Sequence, residues 1–235
     1  MSPHLAEVIG TALVIIFGNG VVANTLLKGS KGQNGGWIVI TLGWCMAVFV
    51  GVYASADASG AHLNPAVTLA LAALGKFEWA QVPVYVAAQF AGAVIGQLLV
   101  WIIYRQHFDL TEETGLKRAC FCTEPAIRHL PSNFLTETLA TFVFVLSILF
   151  IQGPDASLGS LKALPVALLV LAMGLSLGGP TGYAINPIRD LAPRIVHAIL
   201  PIRGKGGSDW AYAWVPVLGP ALGGILAAMV YPWLS

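Results

Sequence analysis

The stretch SGAHLNPAVT, residues 59–68, contains an Asn-Pro pair that the chain repeats in TGYAINPIRD, residues 181–190. Proline is favoured in the first turn of a helix, where its missing N–H has no intrahelical partner to lose. Asparagine just before it is a preferred N-cap, because its side-chain oxygen accepts hydrogen bonds from free backbone N–H groups. Each stretch therefore predicts the beginning of a helix, at residue 65 and again at residue 187.

The composition indicates a membrane protein. Of the 235 residues, 57% are hydrophobic and only 10% are charged, whereas charged residues make up about a quarter of an ordinary soluble domain. The formal net charge of +1 argues against nucleic acid as a partner. Three cysteines cannot form a complete set of disulfides, and Cys120 and Cys122 have no other metal-binding residues nearby in the sequence. We therefore expect neither a metal nor a cofactor.

Six segments are long and apolar enough to cross a bilayer, which takes roughly 20 apolar residues. They lie at about 4–27, 36–56, 81–104, 132–152, 161–179 and 211–233. Two further segments, at about 65–75 and 187–198, follow the Asn-Pro pairs and are too short to cross. The chain thus has three spans with a half-helix after the second, and then the same order again.

Other features recur in matching places in the two halves. A glutamate lies early in the first span of each half (Glu7 and Glu137), and a pair of glycines lies in the third (Gly92 and Gly96, then Gly219 and Gly223). Because each half has three spans, the second must cross the membrane in the opposite direction to the first. Inverted repeats with broken helices place a site near the bilayer midplane, so we expect the two half-helices to meet there.

Together, the doubled Asn-Pro motif, the inverted repeat and the early glutamates resemble the major intrinsic proteins, the aquaporin family. The stretch GYAINPIRDLAPR, residues 182–194, is similar to the second signature of the aquaglyceroporins, the glycerol-conducting branch. The similarity covers nearly the whole chain and is strongest to bacterial glycerol facilitators. It implies an all-α membrane protein, an aquaporin-like right-handed bundle of six transmembrane helices plus two re-entrant half-helices, in an inverted three-plus-three repeat.

The resemblance also implies an arrangement of domains and roles for individual residues. One channel domain, 1–235, would comprise repeat one (about 1–104), a connecting loop (about 105–131) and repeat two (about 132–235). The motifs at the pore centre would be Asn64, Pro65, Ala66 and Asn186, Pro187, Ile188. The selectivity filter would be Trp44, Gly174, Tyr183 and Arg189. The pore wall would include Val48, His62, Leu63, Val170, Gly182, Ala184 and Ile185, and the re-entrant loops would be braced by Glu7, Glu137 and Asp190.

Several of these residues have a plainer interpretation. Glu7 and Glu137 could relay protons instead of bracing backbone, and Trp44 alone could face lipid or fill the core. His62 could contribute its backbone carbonyl or act as a gate, and the apolar wall residues could be ordinary helix packing. Arg189 is different, because an arginine at membrane depth is costly and is functional by default.

A filter of tryptophan, glycine, an aromatic residue and arginine resembles a glycerol filter. Glycerol has one edge of C–H groups and one edge of hydroxyls, so two rings can face the first while Arg189 donates to the second. Cations and protons are opposed by Arg189 and by the positive ends of both half-helices. We therefore expect a passive channel for glycerol, other small neutral solutes and water, and no enzymatic activity.

Two alternatives remain open at the level of function. Undissociated lactic acid, urea, dihydroxyacetone, hydrogen peroxide, ammonia or a metalloid hydroxide is also small, neutral and hydrogen-bonding, and the filter cannot separate them. A coupled secondary transporter would need titratable groups along the midplane, and none of the deep carboxylates has an obvious substrate site beside it. Solute efflux without a proton or sodium gradient distinguishes a channel from such a transporter.

The family resemblance further implies a homotetramer in a lipid bilayer with both termini in the cytoplasm. The absence of a targeting peptide and the compact termini favour the bacterial inner membrane. Two features depart from the family. The basic loop residues favour the opposite orientation by the positive-inside rule, although long loops weaken that rule. The second motif is Asn-Pro-Ile where the family usually has Asn-Pro-Ala, and we expect Ile188 to alter local packing while the channel stays open.

Overall fold

The computed structural model describes residues 1–151 and 161–235. Within these ranges the regular structure is entirely helical, as expected for an all-α protein. The helices are α1 (Pro3–Leu26), α2 (Gly36–Ser59), α3 (Pro65–Ala73), α4 (Val82–Leu110), α5 (Thr114–Ala119), α6 (Leu130–Ile151), α7 (Leu164–Leu177), α8 (Pro187–Ile199) and α9 (Val215–Val230). Single turns of 3₁₀ helix at Trp79–Gln81 and Tyr231–Trp233 adjoin α4 and α9.

Five of the described helices are long and apolar enough to span a membrane: α1, α2, α4, α6 and α9. Helix α7 is apolar too, but it is shorter, with 14 residues. The predicted spans fall on these helices, and the predicted end of the fourth span at residue 152 lies outside the described residues. Helix α4 continues to Leu110 instead of ending at residue 104, because Phe108 in its last turns is fully buried against the ring of Phe121.

The half-helices α3 and α8 begin where the Asn-Pro pairs predict. The side chain of Asn64 accepts from the backbone N–H of Ala66 at 2.9 Å. The side chain of Asn186 accepts from the backbone N–H groups of Ile188 at 3.1 Å and Arg189 at 3.3 Å. In both helices proline follows the cap, so these predicted helix starts are confirmed.

In both halves, glycines allow two helices to pack closely against each other. In the first half, α4 lies so close to α1 that a Cβ on Gly92 would be 2.2 Å from the carbonyl oxygen of Val8. In the second half, α9 lies equally close to α6, and a Cβ on Gly223 would be 2.3 Å from the carbonyl oxygen of Thr138. The paired glycines of the sequence therefore permit close helix contacts within the chain. Half-helix α3 packs against α9, and α8 packs against α4, so each half holds the half-helix of the other.

Candidate functional site

The N-termini of α3 and α8 are joined by crossed hydrogen bonds. The side-chain Nδ2 of Asn64 donates to the carbonyl of Ile185 at 2.8 Å, and Nδ2 of Asn186 donates to the carbonyl of Leu63 at 2.9 Å. A carboxamide nitrogen carries two N–H groups, so one N–H of each asparagine is left over after the crossed bond. Both asparagines line the same cavity, and the remaining N–H groups are therefore available to a molecule inside it.

The backbone before each asparagine follows the same irregular path. Positive φ angles occur at three matched pairs of positions: Gly60 (78°) with Gly182 (77°), Ala61 (50°) with Tyr183 (39°), and Leu63 (49°) with Ile185 (43°). A non-glycine residue in this region costs about 1–3 kcal/mol and persists only where the surroundings hold it. Irregular backbone at membrane depth must also find partners for its N–H groups.

Glu7 supplies those partners in the first half. Its Oε1 accepts from the backbone N–H of His62 at 2.9 Å and from the hydroxyl of Ser59 at 2.7 Å. Its Oε2 accepts from the backbone N–H of Leu63 at 2.8 Å and from Nε2 of Gln89 at 2.8 Å. The carboxylate is fully buried and all four donors point to it. This is the geometry that a brace for the re-entrant backbone requires.

Glu137 lies in the matching position of the second half. Its Oε1 accepts from the backbone N–H of Ala184 at 3.0 Å, and its Oε2 accepts from that of Ile185 at 3.1 Å. The side chain is also fully buried. The two glutamates therefore hold equivalent pairs of backbone N–H groups in the two re-entrant segments.

A cavity of about 320 Å³ runs past the crossed asparagines. It follows one face of α2, where the lining residues Trp44, Val48, Val52 and Ala56 recur at every fourth position. Because a helix rises 1.5 Å per residue, this row of side chains extends for about 18 Å. The cavity therefore continues along the helix well beyond the asparagines, as a pathway would.

One end of this row carries a cation and an aromatic ring. The guanidinium carbon of Arg189 lies 4.5 Å from the ring centroid of Trp44, and Nη1 of Arg189 donates to the carbonyl of Phe121 at 3.5 Å. Arg189 is only 7% exposed, and it lines the cavity together with Trp44 and Tyr183. Three of the four predicted filter residues thus come together on the cavity wall. At the opposite end, Lys162 also lines the cavity and forms an ion pair with Asp57.

Gly174, the fourth predicted filter residue, is not among the residues that line the described cavity. A Cβ at this position would lie 2.9 Å from the hydroxyl oxygen of Tyr183 and 2.7 Å from Cγ2 of Thr41. The missing side chain therefore makes room for the tyrosine ring, and the filter role of Gly174 stays a prediction. Its carbonyl accepts from Nε1 of Trp37 at 2.9 Å, and the Trp37 ring meets that of Tyr183 edge-on.

Most of the predicted wall residues lie on the cavity. Val48, His62, Leu63, Val170, Ala184 and Ile185 line it, whereas Gly182 is absent from its described lining. The ring of His62 is held by Nδ1, 3.1 Å from the hydroxyl of Thr68, and by contacts with the rings of Phe77 and Tyr85. Val52 and Ala56 were not predicted, although the four-residue spacing from Trp44 and Val48 contains the signal.

Asp190 contacts a different segment from the one its predicted role suggests. Its Oδ2 accepts from the backbone N–H of Thr123 at 2.7 Å, from the hydroxyl of Thr123 at 2.8 Å and from Nη2 of Arg194 at 2.9 Å. Its Oδ1 accepts from Nε of Arg194 at 2.7 Å, and both charged side chains are fully buried. In the contacts described, Asp190 therefore ties α8 to the connection between the halves, and Glu137 accepts from the N–H groups of the second re-entrant backbone.

Comparison with known proteins agrees with this geometry. The model of the major intrinsic protein family matches residues 1–231. The chain belongs to the major intrinsic protein family. It is 53% identical over 234 residues to a probable glycerol uptake facilitator protein of Thermotoga maritima, with 100% of both chains covered. It is 51% identical over 231 residues to the glycerol uptake facilitator protein of Bacillus subtilis, covering 98% of this chain and 84% of that one.

Two further matches concern a different transporter and a solved structure. The chain is 42% identical over 228 residues to a D/L-lactic acid transporter of Lactiplantibacillus plantarum, covering 95% and 94% of the two chains. The X-ray structure of the aquaglyceroporin from Plasmodium falciparum superposes with a TM-score of 0.87 at 32% identity, covering 97% of this chain and 94% of that one. The predicted family and the aquaporin-like fold are confirmed, and the chain is an integral membrane protein.

Proposed function

We propose that this member of the family is a passive channel for glycerol and other small neutral solutes, with water passing as well, and that it is not an enzyme. The observation that carries the proposal is the cavity that runs from the Arg189–Trp44 contact past the crossed asparagines. The named glycerol facilitators at 53% and 51% identity support glycerol as the solute.

The wall chemistry fits a polyol. On one side, the rings of Trp44 and Tyr183 offer apolar surface to the C–H edge of glycerol. Arg189 and the leftover N–H groups of Asn64 and Asn186 offer donors to its hydroxyls. Each hydrogen bond contributes only about 0.5–1.5 kcal/mol net, so the solute exchanges partners without being held.

Ions are disfavoured at the same place. A cation approaching the asparagines meets the positive ends of α3 and α8 and the charge of Arg189. An anion is attracted by these charges but must shed its water against the apolar wall. The proposed selectivity for neutral molecules therefore follows from a narrow apolar cavity with fixed positive groups.

We extend the proposal to the assembly and its setting. One channel domain of two repeats, about 1–104 and 132–235, forms each subunit of a homotetramer in a bacterial plasma membrane with both termini in the cytoplasm. The bacterial relatives support the location. Reporter fusions at the C-terminus test the orientation, which the loop charges alone would reverse.

The test is stopped-flow light scattering of proteoliposomes that contain the purified chain. Val52→Trp would place an indole ring across the cavity and obstruct it, and Met46→Trp is the matched control on the exposed side of the same helix. We expect glycerol flux well above that of protein-free vesicles for the native chain and for Met46→Trp, and none above them for Val52→Trp. Equal flux in the two variants, or no flux in the native chain, would overturn the proposal.

Lactic acid is the second candidate solute, because the match to a D/L-lactic acid transporter favours it. Uptake is measured in the same vesicles at pH values below and above the pKa of lactic acid. Preference for the undissociated acid over glycerol would make it the main solute. Dependence of the glycerol flux on a proton or sodium gradient would instead support a coupled transporter. The lactic acid flux does not serve for this test, because a proton gradient also changes the concentration of the undissociated acid.

A further inference from the structure

Two buried amide side chains lie behind the filter and take no part in the site described so far. Asn19 in α1 donates from Nδ2 to Oε1 of Gln97 in α4 at 2.6 Å and to the carbonyl oxygen of Phe121 at 3.2 Å. Gln97 donates from Nε2 to the carbonyl oxygen of Cys120 at 3.3 Å. Both side chains are 0% exposed. The pair therefore holds two consecutive carbonyls of the connection between the halves.

One of these carbonyls is also a partner of the filter arginine. The Phe121 oxygen that accepts from Asn19 accepts from Nη1 of Arg189 at 3.5 Å. Within residues 1–151 and 161–235, this is the only hydrogen bond that the guanidinium makes to the protein. The contact is at the long limit for a hydrogen bond, so a small displacement of the carbonyl decides whether it exists.

The second contact of Arg189 depends on the neighbouring residue of α1. A Cβ on Gly18 would lie 2.3 Å from the ring of Trp44, the ring that packs against the guanidinium. Gly18 and Asn19 thus touch the two groups that hold Arg189, one by leaving space and the other by donating a hydrogen bond. The position of the guanidinium is therefore set from α1.

The second half of the chain has no equivalent of this pair. Counting from Glu7 and Glu137, Asn19 corresponds to Leu149. Counting from the matched glycines 96 and 223, Gln97 corresponds to Gly224. The amides occur only in the half that faces the filter arginine, whereas the capping asparagines and the buried glutamates occur in both.

The pair is explained by the two carbonyls that it contacts. An apolar pair could also join α1 to α4, but it would leave the carbonyls of Cys120 and Phe121 without these donors, and a buried carbonyl without a donor is costly. The amides therefore fix the connection between the halves at the point where it meets Arg189.

We propose that Asn19 and Gln97 are positioning residues of the selectivity filter. They hold the Phe121 carbonyl and, through it, the direction of the Arg189 guanidinium, and so set how strongly glycerol is preferred over a longer polyol. This inference rests on the proposed function, since it assigns a determinant of selectivity to the same channel.

The test compares two polyols in the same proteoliposomes. Permeabilities to glycerol and to erythritol, which has four carbons, are measured for the native chain, Asn19→Leu and Gln97→Met. The ratio of the two permeabilities does not depend on the amount of folded protein. We expect Asn19→Leu to lower the glycerol-to-erythritol ratio about three- to tenfold, the effect of losing one hydrogen bond. Gln97→Met should lower it less, because Asn19 keeps its own bond to the Phe121 carbonyl.

The control is Thr25→Val, which removes another buried polar group from α1, one that bonds only within the helix. Its ratio should equal that of the native chain. A purely structural role for the amide pair would lower the thermal unfolding midpoint and both permeabilities together, with the ratio unchanged, and that result overturns the proposal. If Asn19→Leu does not fold, the glycerol-to-erythritol permeability ratio of Gln97→Met alone tests the proposal.

The failure of this inference can be told apart from the failure of the proposed function. If vesicles that contain the native chain are no more permeable to glycerol than protein-free vesicles, the proposed function itself is wrong. Native vesicles that conduct glycerol, with an unchanged ratio in the folded variants, would remove only the positioning role.

Discussion

The re-entrant segments 60–64 and 182–186 share a backbone but have different surroundings. Their matched residues have the same sequence of left-handed φ angles, and each ends in an asparagine that caps its own helix and donates to the other segment. Around the first, one carboxylate gathers two backbone N–H groups and two side chains. Around the second, a glutamate holds two backbone N–H groups, and a separate buried ion pair anchors the half-helix that follows.

The difference separates the backbone framework that both halves share from the charged groups that only one half carries. Backbone path, caps and crossed bonds are common to both halves. The arginine occurs in only one half. The residue that follows the motif is Val67 in α3 and Arg189 in α8, and both line the cavity. The second half alone carries this buried arginine, and it alone has the Asp190–Arg194 pair beside it. The buried arginine and its neighbouring ion pair are therefore additions to one half of a framework whose backbone is shared.

The largest expected effect is a loss of stability when the buried Asp190–Arg194 ion pair of the second half is broken. Asp190→Asn leaves Arg194 fully buried without its counter-charge, and breaking a buried pair in this way costs about 3–5 kcal/mol. The thermal unfolding midpoint in detergent should fall accordingly. Asp57→Asn is the matched control, because it makes the same change in the exposed pair with Lys162, where the cost is at most about 1 kcal/mol. Equal losses in the two variants would contradict the prediction.

The two Asn-Pro motifs differ in their third residue, which is Ala66 in the first and Ile188 in the second. The side chain of Ile188 is buried and does not line the described cavity, so Ile188→Ala should lower the free energy of unfolding by about 2–5 kcal/mol. Glycerol flux per folded channel should stay the same, since the cap of Asn186 and the following proline are unchanged. Light scattering of reconstituted vesicles measures this, and gain or loss of flux from this change alone would show that Ile188 is more than packing.

The reverse exchange shows whether the third motif positions are interchangeable. Ala66 is fully buried, and a Cβ on Gly224 of α9 would be only 2.5 Å from its carbonyl oxygen. Overpacking a tight contact typically costs about 1–3 kcal/mol. We expect Ala66→Ile to be destabilising, because α9 has no room to move away; a neutral result would show that it has.

The smallest expected difference lies between the two glutamates. In Glu7→Gln the new amide nitrogen faces one backbone N–H, because the neighbouring side chain of Ser59 or Gln89 can rotate to accept from it. In Glu137→Gln it also faces one backbone N–H. Each unmet buried donor costs about 1–3 kcal/mol, so the two variants should lose similar stability. Parallel thermal unfolding of the two proteins measures this, and a clearly larger loss in one variant would mean that its brace has the greater importance.

Local sequence signals predicted the elements and the meeting of the two motifs. Asn64 and Asn186 fall at the helix starts because cap and proline preferences act over a few residues. The spans are apolar runs whose length is set by the bilayer. The longer α4 was not predicted, because residues 105–110 are polar by composition and stay helical through the burial of Phe108.

Side-chain partners across the chain were beyond sequence reasoning. The space at Gly174 serves Tyr183, which is visible only when α7 and the second re-entrant segment are side by side. Asp190 meets Thr123, 67 positions away, and Asn19 meets Gln97, 78 positions away. Nothing local marks such pairs, since a polar residue in an apolar span has many candidate partners until the fold selects one.

The crossed asparagine bonds make the halves incomplete without each other. Asn64 finds its acceptor at Ile185, and Asn186 finds its own at Leu63. Neither repeat can form these bonds on its own. A repeat inserted alone would therefore leave its asparagine amide without that acceptor inside the membrane. Two fragments made separately, one for each repeat, would supply each other's missing acceptors, and their recombination in the bilayer would rebuild the crossed bonds without the peptide link between them.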